Sequence, residues 1–363
     1  MSTSSHSKSI FLLGATGYVG GQVLLSLGVE FSSLSVRALA RNLSSSKIAH
    51  LQLLHPKLEV IEGSLDDIGV IEAEAKKADI VINVAVAQHM NSVNATLRGL
   101  KIRATSSPQA PIYIHMAGTS LISYASSGEL IVPQHIWTGT EFTDDILEST
   151  EFEGQLFKGA CEAIVQANKT SPSVRTMILL PGFIYGIGPG IQKVTVPLRL
   201  YLGLASQAGH VGTIGPGRNV VGCIHVKDVA NAVSAVLIGA LQGKSIGEGI
   251  NGFYPVVSKY MTSMLSVCEI IGDVFLDQGL VSESTARPIP FSAQVLEPLG
   301  PWADVMSSNH FCRSDRLITE LGWSAKHTEA EPGESFHESL PKEIELSLKE
   351  SALGEAFKNA NAR

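Results

Sequence analysis

The 363-residue chain has little cysteine, few aromatic residues and no block of one charge, and each shortage closes off a class of function. Its four cysteines, Cys161, Cys223, Cys268 and Cys312, stand far apart with no Cys-x-x-Cys pair. That spacing excludes a zinc knuckle and a dense disulfide framework, so no metal site is expected and the thiols read as free in a reducing compartment. Lys and Arg number 27 against 34 Asp and Glu, a formal net charge of −7, with no basic run. A nucleic-acid partner is therefore not expected, because phosphate recognition needs a basic stripe. No apolar run approaches the roughly 18 residues that cross a membrane. The polar start MSTSSHSK leads into SIFLLG, an apolar run too short for a signal segment. Asn42, Asn94 and Asn168 sit in glycosylation sequons, which carry no weight without secretion. The expected location is the cytoplasm, with no membrane partner.

What is abundant is apolar sequence, at 44%, and glycine, at 34 residues. The first half alternates short apolar runs with helical patterns: SIFLL (9–13), LSVRALA (34–40), LEVIE (58–62), ADIVINVA (78–85), PIYIHM (111–116) and VRTMILL (174–180). Near-continuous Val, Ile and Leu suits strands buried on both faces, as in a parallel sheet with crossover helices. Helical spacing relates Val19, Val23, Leu24 and Leu27, and again Phe152, Leu156, Ala160, Ala163, Ile164 and Ala167. The expected fold class is α/β, a doubly wound parallel sheet (Rossmann) with a small mixed C-terminal substrate lobe. Residues 1–185 would form the dinucleotide-binding domain and 186–363 the lobe packed on it, some segments returning to the sheet. Apolar helices are expected near 227–241 and 257–272, and a polar, peripheral tail after about 325.

Gly14-Ala15-Thr16-Gly17-Tyr18-Val19-Gly20 follows the first strand and opens the first helix. Gly14 permits the tight turn, Gly17 lets a pyrophosphate approach the backbone, and Gly20 allows close helix–sheet packing. Free N–H groups at the helix start then face the phosphates. The second strand ends Ala38-Leu39-Ala40-Arg41-Asn42, without the carboxylate that holds the ribose 2′-hydroxyl of NAD. Arg41 offers a planar cation for a 2′-phosphate instead, so NADP(H) is the expected cofactor.

These features resemble the extended short-chain dehydrogenase/reductase family, which includes nucleotide-sugar epimerases and dihydroflavonol-type reductases. GATGYVG is similar to its GxxGxxG turn, ALARN to its NADP-type second strand, and GSLDD (63–67) to its GDxxD stretch. NVAVA (83–87) resembles the segment over the adenine and ribose, and PGFIYGIG (181–188) the loop covering the nicotinamide. CIHVKDVANAV (223–233) resembles the HVxDVA helix start, which His225 and Asp228 would anchor, and ELGW (320–323) the C-terminal LGW. The nearest likeness is to fungal members reading IHTSGT and PPTIYGIG. The resemblance implies cofactor contacts from Gly14, Thr16, Gly17, Tyr18, Val19, Gly20, Arg41, Ser64, Leu65, Ala85, Val86, Ala87, Lys158, Pro181, Phe183 and Ile184.

The family's chemistry depends on Tyr-x-x-x-Lys on one helix and a Ser or Thr at the end of strand five. Lys158 fits, followed by Glu162, but the position four before it is Gly154. The strand-end hydroxyls align with Met116-Ala117-Gly118, leaving Thr119 and Ser120 nearest. Loss of the acid and its partner, each typically worth about 10²–10⁴-fold, argues against ordinary ketone reduction. Lys158, Thr119, Tyr124 and Tyr185 are the catalytic candidates. Tyr124 can swing in as a substitute acid; Tyr185 faces either the substrate or the packing of its loop. His89 reads as a satisfied loop histidine or a cleft residue, and Asp144-Asp145 as an N-cap pair or acid/base groups. The expected function is NADP(H)-linked chemistry on a small organic metabolite, such as reduction of an imine, iminium or conjugated C=C. The alternatives are a redox-neutral cyclase, isomerase or lyase retaining the dinucleotide structurally, with the carboxylates of 141–153 as acid/base groups, or a non-enzymatic NADP sensor. A homodimer is compatible with this reading.

Overall fold

In the computed structural model, which describes residues 8–148, 155–330 and 332–350, the apolar runs become strands within one or two residues of their expected limits. They are β1 (Ser9–Leu13), β2 (Ser35–Ala40), β3 (Glu59–Glu62), β4 (Ile80–Asn83), β5 (Ile112–Met116) and β6 (Arg175–Pro181). The helices between them are α1 (Tyr18–Glu30), α2 (Ser45–Leu54), α3 (Ile68–Lys77), α4 (Met90–Ser106), a short α5 (Asp144–Glu148) and α6 (Lys158–Lys169). Later come β7 (Phe183–Tyr185), α7 (Val196–Ala208), β8 (Gly212–Thr213), β9 (Val220–His225), α8 (Val226–Leu241), β10 (Phe253–Val256), β11 (Met261–Ser263) and α9 (Met264–Asp277).

The main sheet has seven strands in the order β10-β6-β5-β4-β1-β2-β3. Its pairings are all parallel. The alternation of a strand sends Ile10 and Leu12 into a core under α1 and α8, and Phe11 and Leu13 into one under α3, α4 and α6. Strand order reverses about β1, so a crevice opens at the carboxyl ends of β1 and β4. The second half closes that crevice: β7, β9 and β11 form a mixed three-stranded sheet beside it.

Three expectations need correction. The helix expected from 257 starts at Met264, where the Ser263 hydroxyl accepts from Ser266 N; Val256 and Val257 belong to the end of β10 and its connection. The helix expected to run through Leu156 starts at Lys158, with Leu156 and Phe157 in a turn; Phe152 lies outside the described residues. The tail is not peripheral. The C-terminal helix Phe336–Glu350 buries Phe336, Leu340 and Ile344 against α7 and α9 in a third core.

Candidate active site

A cavity of about 600 Å³ occupies the crevice, running from the Gly14–Val19 turn to the second-half residues Trp302, Met306 and His310. At the turn, Gly14 has φ +96°, and an added Cβ would stand 2.8 Å from the backbone of Val84 and Ala85. A Cβ at Gly20 would meet the Gly14 carbonyl oxygen at 1.8 Å, so only glycine lets the first helix start this close to the strand. Gly17 N donates back to Gly14 O at 2.8 Å, closing the turn. This cradle fits a dinucleotide pyrophosphate, since no side chain fills it and the helix N-terminus faces it.

Arg41 lines the same wall at the end of β2, its own carbonyl held by Lys47 Nζ at 2.9 Å. Ser64 and Leu65 line it beyond β3, where Asp67 Oδ2 takes Ser64 N at 2.6 Å and fixes the turn. Ala85 and Val86 line it beyond β4, with Ala85 N donating to Asn83 Oδ1 at 3.0 Å. His89 caps α4 and also lines the cavity, its Nδ1 accepting from Ser92 N and its Nε2 lying 3.1 Å from Asp66 Oδ1, so it is both a satisfied loop histidine and a cleft residue.

The loop after β6 is fastened over the turn. Pro181, Phe183 and Ile184 line the cavity. The Tyr18 hydroxyl donates to Gly186 O at 2.5 Å, and Gly186 N donates to Glu343 Oε1 at 2.6 Å. Gly186 has φ +98°, and a Cβ there would strike the His225 ring at 2.3 Å. Glu343 is fully buried, and burial pushes its carboxyl up to about 7. His225 caps α8, while both Asp228 oxygens accept from His327 and Thr328. The expected anchor of that helix is therefore an anchor of the C-terminal segment as well.

The far end is apolar and aromatic, walled by Phe157, Val196, Pro197, Tyr201, Val221, Met264, Trp302, Val305 and Met306. Among the described lining residues no Lys or Arg stands at this end; the one guanidinium is Arg41. Thr119 and His310 are the polar pair here, with Thr119 Oγ1 and His310 Nδ1 2.7 Å apart. Burial pushes the His310 ring down to about 4, the Val305 carbonyl acting in the opposite sense. Gly118 also lines the wall, with the Phe157 ring 3.0 Å from where its Cβ would be.

Of the catalytic candidates, only Thr119 lines the cavity. Tyr185 must be corrected: it is fully buried against His225 and Phe336, its hydroxyl donating to Glu334 O at 3.0 Å. Tyr124 must be corrected too, because its backbone pairs with Asn309 and its hydroxyl donates outward to His135 O at 3.3 Å. Lys158 opens α6 one residue past the cavity wall, its Nζ 3.7 Å from Glu162 Oε1. Gly154 lies outside the described residues. Gly20 and Ala87 are packed beside the cavity rather than in its lining. Glu129, Glu141, Asp144, Asp145 and Glu148 do not line it; Glu141 accepts from Thr138 N and Gly139 N, and Thr143, not an aspartate, caps α5. Glu151 and Glu153 lie outside the described residues. Sequence reasoning missed His310, which nothing in Ser-Ser-Asn-His-Phe marks and which reaches Thr119 from 191 residues away.

A model of the NAD dependent epimerase/dehydratase family matches residues 10–246. Oxidase ucsJ from Acremonium sp is 27% identical over 289 residues, covering 76% of this chain and 81% of that protein. UDP-glucose 4-epimerase from Bifidobacterium longum, solved with NAD+ and UDP, has a TM-score of 0.61 at 14% identity, over 94% of this chain and 98% of its own. The dTDP-glucose 4,6-dehydratase of Bacillus anthracis, in complex with NAD, reaches 0.62 at 13% identity, over 97% and 100%. Identities this low speak for the fold alone. The matched segment covers the whole glycine turn, six of the seven strands of the main sheet and the anchored helix start, and on it the chain belongs to the NAD dependent epimerase/dehydratase family.

Proposed function

We propose that the chain is an NADP(H)-dependent oxidoreductase acting on a small, largely apolar organic metabolite, with an iminium or conjugated C=C favoured over a simple ketone. The observation that carries this is one cavity with a glycine cradle and Arg41 at one end and an uncharged, aromatic wall at the other. The dinucleotide supplies hydride chemistry when bound. Arg41 would hold its 2′-phosphate, and Lys158, next to cavity-lining Phe157, would reach the ribose. A sugar nucleotide suits the far end poorly, because its diphosphate asks for Arg or Lys and none is there among the described residues. A small cation suits it better: Trp302, Tyr201 and Phe157 line this end, and an aromatic ring is worth about 0.5–2 kcal/mol to a desolvated cation over its face. The likeness to a protein named an oxidase agrees with redox chemistry. No carboxylate of 141–148 lines the cavity, so the acid/base groups of the redox-neutral alternative are not among those residues.

The test is direct. Purified protein is titrated with NADPH and NADH, then given N-methyl-3,4-dihydroisoquinolinium, a fixed iminium, while the nicotinamide absorbance is followed. Tighter NADPH binding and saturable loss of that absorbance are expected; equal affinity for the two cofactors overturns the NADP assignment.

A further inference from the structure

We propose that Thr119 and His310 form a proton relay at the apolar end of the cavity. The proposal rests on the reading above that this end receives a small organic metabolite.

A threonine hydroxyl alone is too weakly acidic and too weakly basic to move protons near neutrality. A hydrogen-bonded imidazole removes that limit, because the hydroxyl can take a proton from substrate while passing its own to the ring. Thr119 is 2% exposed and His310 7%, and the 2.7 Å contact between them lies in the cavity wall. The ring is held from behind. His310 N donates to Val220 O at 2.9 Å, and the neighbouring Asn309 is fully buried. The Asn309 amide accepts from Val220 N at 3.0 Å and donates to Ser126 Oγ and Glu129 O at 2.8 Å. Three segments are thus tied together at the residue that aims the ring.

His310 Nε2 is buried without a partner in hydrogen-bonding geometry among the described residues, and the Val305 carbonyl acts on the ring in the sense that favours a proton. Placing the proton on Nε2 leaves Nδ1 as the acceptor of the Thr119 hydroxyl, the tautomer the relay needs. No charged side chain among the described residues acts on the ring, and burial keeps it neutral, hence open to receive a proton, at ordinary pH.

The step balances without oxidant or reductant. A C–H bond α to a substrate carbonyl breaks, its proton goes to Thr119 Oγ1, and the Thr119 proton goes to His310 Nδ1. The electron pair stays on the substrate as an enolate, and the ring becomes an imidazolium that trades a proton with solvent water before the relay runs backwards and reprotonates the carbon.

The test uses cyclohexanone as probe and follows exchange of its α-hydrogens in deuterated water by NMR, with the full chain and no cofactor. Wild-type protein should catalyse exchange with a pH profile rising through about 4 and flat above. Thr119→Val and His310→Phe should each lose about a hundredfold, within the usual range for acid–base groups. Thr119→Ser should restore most of it. Absence of wild-type exchange, full rate in Thr119→Val, or a Thr119→Ser protein as slow as Thr119→Val each overturns the relay. Relay-dependent exchange in a protein that never consumes NADPH with the iminium probe supports the relay and overturns the hydride reading, so the two failures are distinct.

Discussion

The cofactor end of the cavity is a backbone structure, whereas the substrate end is a collection of side chains from distant segments. At Gly14 and Gly20 the chain comes so close to itself that a single methyl group collides with main-chain atoms, and at Gly17 the fit is tight. At the other end, Phe157, Tyr201, Trp302, Met306 and His310 arrive from four segments and could be exchanged without disturbing the sheet. Geometry that the backbone enforces tolerates almost no substitution. A wall of side chains is free to diverge, and it is there that the chemistry of this chain is set.

The largest effect should come from breaking the backbone end. In Gly20→Ala the new Cβ would lie 1.8 Å from the Gly14 oxygen, so the helix start must shift. A loss of about 3 kcal/mol or more in stability is expected, with NADPH binding abolished; thermal unfolding and fluorescence titration read both. Arg41→Ala should weaken NADPH by about 1–3 kcal/mol, the size of a charge-assisted hydrogen bond, and leave NADH nearly unaffected. Paired calorimetric titrations measure this, and equal losses would remove Arg41 from the 2′-phosphate.

Glu343 lies outside both ends of the cavity and ties the loop over the turn to the C-terminal helix. Its folded pKa is raised from 4.5 to about 7, so the native state binds the extra proton. Its contribution to stability is therefore full below about 4.5 and lost as pH rises through about 7. Glu343→Gln keeps an oxygen for Gly186 N and removes the charge. It should be more stable than wild type at pH 8 by about 1–3 kcal/mol and no more stable at pH 4, as thermal melts at the two values would show. The smallest effect is expected of Lys158→Met, a loss of about 1 kcal/mol for NADPH and NADH alike, because the ribose is common to both. A loss confined to NADPH would move Lys158 to the 2′-phosphate.

Legibility in the sequence follows the same line. The strands could be read because burial on both faces leaves unbroken apolar runs, as in Ile80-Val81-Ile82 of β4. The glycine turn could be read because its constraint is local. The C-terminal helix was hidden by its narrow stripe: Phe336, Leu340 and Ile344 sit among polar residues, with Pro341 inside the helix. Tyr124 and Tyr185 were natural candidates as phenols near the right segments, yet hydrogen bonds to His135 and Glu334 carbonyls occupy their hydroxyls. His310 had no local signal at all, since its meaning comes from Thr119 and from the Asn309 amide that spans Val220 and Ser126.

The central claim is that one cavity joins an NADP(H) cradle to an uncharged, aromatic substrate end. Its most direct measurement is NADPH consumption by the wild-type chain in parallel reactions with N-methyl-3,4-dihydroisoquinolinium and with UDP-glucose. Saturable consumption with the iminium and no binding of UDP-glucose is the predicted result. Tight UDP-glucose binding, with no consumption of bound NADPH by the iminium, would contradict it.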